Sequence, residues 1–452
     1  MYESSKSTNE LRFFQNYSME SLLLIAGSML LLSLELFIIL SKLDRSTIIF
    51  ELLFFLPFIA YILSIILLKR YYIFQKQLFF PIILGFAIIY QIIILMTEIS
   101  LSDDVYRFLG EGKAIINGIN PYSTPISEYP KEILYFEQGN NLDLTSPYPP
   151  FALLLFASLC FISTDIFIYR LFFSICFIVS IIILYKLILV EDKWKVIIYA
   201  WNPLLHIETA NGSHYDSVVL LFVMLAVFYL KTKRPTLAGI SLFLAFLLKY
   251  YPIFLVVVYW RLLGKRGLII FFSGFFLYCG FIIIYPTATD GIMTYANEWY
   301  FNASIFWVIF ELLQIFELSK HIVAGIFVLI LIFLFLQVRN ESEFSPTAGL
   351  TIIGAFLLLQ PTFHPWYIFW IFPFVLMEKR INFSWILLSG TLIFSYYVYI
   401  AFDTTQVWKE SDFIRLIEFI PFYLCLLLER GEFVFSKIRN LFNTFNEDSS
   451  VS

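Results

Sequence analysis

Leu78-Phe79-Phe80-Pro81-Ile82-Ile83-Leu84-Gly85-Phe86-Ala87-Ile88-Ile89-Tyr90-Gln91-Ile92-Ile93-Ile94-Leu95-Met96 is followed, six residues on, by Ser102-Asp103-Asp104-Val105-Tyr106-Arg107. The first stretch carries no charge over a length that crosses a bilayer as helix. The second places two adjacent carboxylates at the mouth of that helix, a costly position unless water or chemistry wants them there. A long polar segment continues through Asn120-Pro121-Tyr122 to Tyr148-Pro149-Pro150 before apolar sequence resumes.

The rest of the 452-residue chain repeats the first half of this pattern. It is 60% hydrophobic and 14% charged, with a mean hydropathy of +0.82, whereas soluble domains carry about 25% charged residues. The expected fold is therefore an all-α polytopic membrane protein, a single integral membrane domain over 1–452. A net charge of −4 provides no basic face for nucleic acid. Met1–Gln15 is polar and the first apolar run is too long for an h-region, so no cleavable signal peptide is expected. Cys160, Cys176, Cys279 and Cys425 all sit in apolar runs without metal-binding spacing and read as buried small hydrophobes.

Twelve spans are expected: Ser21–Ser41, Ile48–Leu68, Leu78–Met96, Phe167–Leu189, Val196–Ala210, Ser217–Leu230, Gly267–Tyr285, Ile322–Leu336, Ala348–Gln360, Trp366–Met377, Phe383–Ala401 and Ile414–Leu428. Basic clusters from Lys69-Arg70 to Lys437 and Arg439 alternate with them. Placing these clusters in the cytoplasm puts both termini inside and the loop 97–166, with Asp103 and Asp104, outside. Phe151–Ile162 and Ile305–Phe316 then lie on the outer face. Leu237–Trp260 becomes re-entrant, broken near Lys249-Tyr250-Tyr251-Pro252, where proline interrupts helix. If Leu237–Trp260 and Ile305–Phe316 cross instead, the count is 14.

Four constellations carry chemistry. Asp103 to Asn117 reads as a helix opened by carboxylates and closed by Gly118. Asp104, Arg107 and Glu111 share one face, and Phe108 and Ile115 mark a second, apolar strip, as in an amphipathic helix at a membrane interface. Asp103 and Asp104 are compatible with simple capping, with catalysis or with a divalent cation, though no further hard-oxygen cluster accompanies them. Trp201-Asn202-Pro203, His206, Glu208 and Gly212-Ser213-His214-Tyr215-Asp216 gather four titratable groups where one span ends and the next begins. They read as a self-ordering loop or as sugar and phosphate contacts, and His214-x-Asp216 is also compatible with a metal. Lys249, near mid-membrane, needs a partner or an aqueous cavity, or else snorkels. His364-Pro365-Trp366-Tyr367 is a turn with interfacial aromatics or a ligand contact, and Glu298-Trp299-Tyr300-Phe301-Asn302 is a stacking platform for sugar or a set of interfacial aromatics.

In order and spacing these motifs resemble the GT-C superfamily of multispan glycosyltransferases that use polyprenyl-phosphate sugars. Within it the chain is similar to family 87 and the polyprenyl-phosphomannose-dependent mannosyltransferases, and more distantly to the catalytic subunit of GPI mannosyltransferase I. The similarity runs over about residues 100–370. The resemblance implies a GT-C-like bundle with juxtamembrane helices in its first outer loop, a catalytic module over 78–300 and more variable helices over 301–452. It also implies an acidic base in that loop: Asp104, with Asp103 as the alternative. The eukaryotic relatives read Asp-x-Asp-Tyr here, and Ser102 stands at their first Asp. Arg107, Glu111, Tyr122, His206, Glu208, His214, Asp216, Lys249, His364 and Trp366 are the expected donor and substrate contacts, with no assigned metal.

The implied reaction moves a sugar, mannose in first place, from a polyprenyl-phosphate donor to a hydroxyl of a glycan or glycolipid. It would proceed with inversion at the outer face of a prokaryotic plasma membrane. A flippase for lipid-linked saccharides and a non-catalytic membrane scaffold are the competing classes. The absence of a visible internal repeat weakens the flippase.

Overall fold

The computed structural model describes residues 19–71, 79–130 and 141–429. The polar Met1–Gln15 segment, Leu78, the Lys437 to Arg439 cluster and both chain ends lie outside the described residues. Among the described residues no strand forms, and one isolated parallel bridge joins Phe301 to Thr362. All twelve expected spans fall on helical segments. Among the described residues six helical stretches are long and apolar enough to cross a membrane: Met19–Ser41 (α1), Ile48–Tyr71 (α2), Ile166–Leu187, Ile253–Ile284, Phe316–Val338 and Phe383–Asp403. Helix is forced here because a bilayer offers no water to satisfy backbone groups.

α1 and α2 pack as a pair, with Phe37 against Phe50 and Phe54. Phe79–Leu95 (α3) leads to the acidic segment. Its exit is stapled by Asn211, whose Oδ1 accepts from the amides of Ser100 (3.2 Å) and Leu101 (3.1 Å) and whose Nδ2 donates to the Glu98 carbonyl (2.7 Å). Arg45, in the α1–α2 loop, donates to the Leu101 carbonyl. Two distant loops thus fix the chain just before Asp103.

The helix expected over Asp103–Asn117 is present as Asp104–Ile116 (α4), ended by Gly118 at φ +77°. Its setting differs from the expectation. Its polar face is not left to water; Arg107, Phe108, Glu111 and Lys113 are all buried. It packs so closely on Pro150–Ile162 (α5) that a Cβ at Gly112 would sit 2.6 Å from the Phe156 carbonyl oxygen, and Phe108 stacks on Phe156 at 4.5 Å. The polar face instead holds the returning loop, as shown below.

The expected span Val196–Ala210 is broken into Val196–Ala200 and Pro203–Ala210 (α6). Pro203 cannot donate within a continuing helix. Asn202 Oδ1 caps α6 by accepting from the amides of Leu204 and Leu205, and its Nδ2 donates to Ser389 Oγ at 2.8 Å. Asp216–Lys231 (α7) follows.

The Leu237–Trp260 stretch is two helices, Pro235–Leu248 (α8) and the start of Ile253–Ile284 (α9), with the break falling at Lys249–Pro252 as the proline suggested. A second break at Gly264, φ +54°, turns α9 back on itself. The outgoing half of α9 runs parallel to α8: a Cβ on Gly239 would meet the Gly267 carbonyl, and Tyr250 bonds Tyr278 through their hydroxyls at 2.9 Å. Lys249 is therefore level with Tyr278, about 9 Å short of the helix end at Ile284 at 1.5 Å per residue. The hinge is sunk below the end of its neighbour. Ile305–Phe316 does not run as one element either. Gln314 is left-handed and separates Ile305–Leu313 from Phe316–Val338 (α10), and nine residues of helix are too short to cross.

Candidate active site

The helix ends converge on one cavity of about 810 Å³. Asp103 and Asp104 enter it from the start of α4, His214 and Asp216 from the α6–α7 junction, Lys249 from the hinge, and His364 and Trp366 from the turn after Pro346–Leu359. Asp103 occupies the N-cap position of α4 but makes no side-chain cap hydrogen bond. Ser102 Oγ accepts the Asp104 amide at 3.2 Å and orders the turn.

Lys249 is the cation of the cavity floor. Its Nζ donates to both oxygens of Asp216, at 2.7 and 2.8 Å. Trp370 Nε1 donates to Asp216 Oδ1 at 2.6 Å. Asp216 is thus fully engaged and suited to holding the ammonium rather than to taking a proton. The rings of Tyr215, Tyr367 and Trp370 surround Nζ at 5.0 to 5.3 Å, a cation–π setting that favours the charged form.

An aromatic stack lines one wall. His214 lies face to face with Trp366, centroids 3.5 Å apart, and Trp366 with His364 at 4.3 Å. Burial, followed by the positive charge of Lys249, holds His364 down at about 3 and His214 well below the usual imidazole range. Both rings are neutral near pH 7. His214 Nδ1 is 3.7 Å from Asp104 Oδ2, and its Nε2 is 3.4 Å from Glu208 Oε2.

Arg107 touches the cavity rim but is largely occupied. Its Nε donates to Glu111 Oε1 (2.9 Å), Nη1 to the Asn141 carbonyl (2.9 Å), and Nη2 to the Leu144 (2.9 Å) and Thr145 (3.0 Å) carbonyls. Ser146 Oγ donates to Glu111 Oε2 at 2.9 Å. The polar stripe of α4 is thereby a clip on the loop 141–146.

Four of the expected contacts lie behind the wall rather than on it. Glu111 is fully buried in the clip. Tyr122 donates to the Tyr148 carbonyl at 2.8 Å and so supports a residue that does line the cavity. His206 is wedged between Gln91 Nε2 and the Ala200 carbonyl, both at 2.8 Å, beneath the rings of Tyr90 and Phe177. Glu208 sits behind His214. Among the described residues no group of three His, Cys, Asp or Glu side chains converges to ligate a metal.

Sequence reading missed Arg45, which lines the cavity with its guanidinium 3.6 Å over the Tyr399 ring. A signal existed: it is a basic residue in a loop that the positive-inside assignment puts on the outer face. Trp370 was hidden inside an apolar run and is delivered by the 3-10 turn Pro365–Trp370.

A carboxylate pair, a caged ammonium and stacked aromatic rings thus meet around one chamber in an apolar helical bundle. Residues 24–264, just over half of the chain, match the family described as alpha-(1->6)-mannopyranosyltransferase, N-terminal domain, and the chain belongs to that family of glycosyltransferases. No curated protein and no solved structure matches it. The matched region carries Arg45, Asp103, Asp104, His214, Asp216 and Lys249, while His364, Trp366 and Trp370 come from beyond it.

Proposed function

We propose that the protein transfers mannose from a polyprenyl-phosphate donor to a hydroxyl of a glycan or glycolipid at the extracytoplasmic face of a prokaryotic plasma membrane, with both chain termini in the cytoplasm. The observation that carries this reading is the pairing of unlike groups in one cavity. An acidic helix start and a caged ammonium share it, and Asp104 acts electrostatically on Lys249.

The chemistry follows from the charges. An acceptor alcohol is a poor nucleophile until a positioned base removes its proton, and Asp104, with Asp103 beside it, is the carboxylate available for that step. The departing polyprenyl phosphate is an anion and needs a cation rather than a proton. Lys249 supplies it. Asp216 and the three rings keep Lys249 charged and aimed. The edge of Trp366, whose two faces are taken by His214 and His364, borders the space for the sugar ring. A single displacement inverts the anomeric carbon, so a β-linked donor yields an α-linked product, in keeping with the family. The hinge lies below the helix ends, at a depth that suits a phosphate whose lipid tail stays in the bilayer.

The test is donor competition in detergent-solubilised protein, with radiolabelled mannose on polyprenyl phosphate or on a nucleoside diphosphate. Product formed from the lipid donor supports the reading. Product formed from the nucleotide donor alone overturns it. Label that crosses vesicle membranes without a new glycosidic bond returns the flippase class.

A further inference from the structure

Glu208 Oε2 and His214 Nε2 are among the buried polar atoms near the reaction chamber that lack hydrogen-bond partners. They face one another at 3.4 Å. The other imidazole nitrogen, Nδ1, faces Asp104 Oδ2 at 3.7 Å. Glu208 is fully buried, and its other oxygen accepts from the Tyr396 hydroxyl at 2.8 Å. His214 is 2% exposed and held edgewise by its stack on Trp366. Glu208, His214 and Asp104 therefore form a line that begins in the core and ends at the start of α4. Both separations exceed a closed hydrogen bond, as is common before substrate tightens a site.

Proton counting decides how such a line is wired. A neutral imidazole has one N–H and one lone pair. With the N–H on Nε2, it would serve an ionised Glu208 and turn the Nδ1 lone pair on the Asp104 carboxylate. Two carboxylate charges would then lie either side of one neutral ring, one of them with no water. With the N–H on Nδ1, it donates to Asp104, and Nε2 accepts a proton from Glu208 as a carboxylic acid. Each facing pair is then attractive, each orphaned atom gains its partner, and the trio carries one negative charge, on Asp104. The other charged and titratable groups around the line do not reverse this choice. Lys249 and His364 act on His214, and both disfavour the imidazolium. Tyr396, Asp216 and Arg45 act on Glu208.

We propose that Glu208 and His214 are positioning residues for the base, wired Glu208 O–H to Nε2 and Nδ1–H to the Asp104 carboxylate. The wiring orients Asp104 and stabilises its ionised form. His214 and Glu208 keep their protons throughout. The acceptor proton ends on Asp104, and the bonding pair of the glycosyl–phosphate bond leaves with the phosphate. This assignment rests on the reading of Asp104 as the general base.

The chain has four histidines, so imidazole nitrogen NMR on histidine-labelled protein resolves them, and His214→Gln identifies the His214 signals. The expected spectrum shows His214 protonated at Nδ1. An Nε2–H tautomer or an imidazolium overturns the proposal. This readout needs no turnover, so if the wild type transfers no mannose, the proposed function fails while the wiring is still decided.

Kinetics supply the second readout. Glu208→Leu lowers kcat by about tenfold or more, because buried groups lose their partners. Glu208→Gln rescues most of that loss, since an amide donates to Nε2 and accepts from Tyr396 as the acid does. His214→Ala moves the acid limb of the kcat/KM profile up by about one pH unit, because the ionised base has lost a hydrogen bond. A Glu208→Gln enzyme as poor as Glu208→Leu, or a His214→Ala enzyme changed only in KM, contradicts the wiring. Should Glu208→Leu fail to fold, the NMR and the Glu208→Gln and His214→Ala enzymes decide.

Discussion

Two buried ion pairs stand a short distance apart in this protein and do opposite things. Arg107–Glu111 has its valences closed by protein. The guanidinium spends itself on Glu111 and three backbone carbonyls, and the carboxylate takes a further hydroxyl from Ser146. Lys249–Asp216 is closed only on the acid side. Asp216 is saturated by Lys249 and Trp370, while the Lys249 side chain stays 16% exposed and lines the cavity. The first pair is built to hold a loop and the second to present a charge. Burial alone does not separate them; what separates them is the direction in which unused hydrogen-bonding capacity points.

That contrast is breakable by mutation. Arg107→Ala leaves Glu111 charged, buried and unpaired and releases the loop 141–146. The expected loss is about 3–5 kcal/mol of stability, seen as a collapse of the thermal unfolding midpoint in detergent and, with it, of activity. If Arg107→Ala folds normally and only turnover falls, the clip is misassigned and Arg107 belongs to the chemistry. Lys249→Ala reverses the pattern. Transfer falls by about 10²–10³ in kcat, the size of a lost charge-stabilising group, while the midpoint moves much less because removing the lysine stem opens Asp216 to the cavity. A fold that collapses with Lys249→Ala makes this pair structural as well.

A smaller effect probes the packing that sets the clip. Gly112→Ala drives a methyl into the Phe156 carbonyl, and overpacking of this kind costs about 1–3 kcal/mol. A wild-type midpoint for this variant would mean that α4 and α5 are less tightly joined than their contacts suggest.

The smallest effect is pH dependence. His214 and His364 are held neutral, with folded-state pKa values below the ordinary 6.5, about 3 for His364. The unfolded chain therefore binds more protons between those limits. Their contribution to stability is complete above pH 6.5 and declines as pH falls toward 3. His364→Gln should flatten that acid slope in midpoint-against-pH measurements, and an unchanged slope removes His364 from the account.

Much of the frame was legible in the sequence because it depends on one-dimensional rules. Leu78–Met96 reads as a span by length and apolarity. Asp103 to Gly118 reads as a helix by its charged start and glycine stop. Pro252 marks the hinge. The motifs quoted as candidates do meet at one cavity in large part. The division of labour among them was not legible, because it rests on contacts far apart in the chain. Arg107 and Glu111 announce a pair by their spacing, but nothing local reveals that the carbonyls of 141–145 complete it. His206 and His214 look alike in sequence; only Gln91 and Tyr90 on one side, and Asp104 and Trp366 on the other, distinguish a core imidazole from one at the chamber. The wet amphipathic helix failed for the same reason, since a polar stripe satisfied by a returning loop has the periodicity of one satisfied by water.

The central claim is that the start of α4 supplies the base. The direct measurement is single-turnover transfer of radiolabelled mannose from polyprenyl phosphate to membrane glycan and lipid acceptors, by wild type, Asp103→Asn and Asp104→Asn, each shown to keep the wild-type unfolding midpoint. The account predicts transfer by wild type, a loss of about 10²–10⁴ in rate for Asp104→Asn and a lesser loss for Asp103→Asn. Wild-type rates in Asp104→Asn would contradict it.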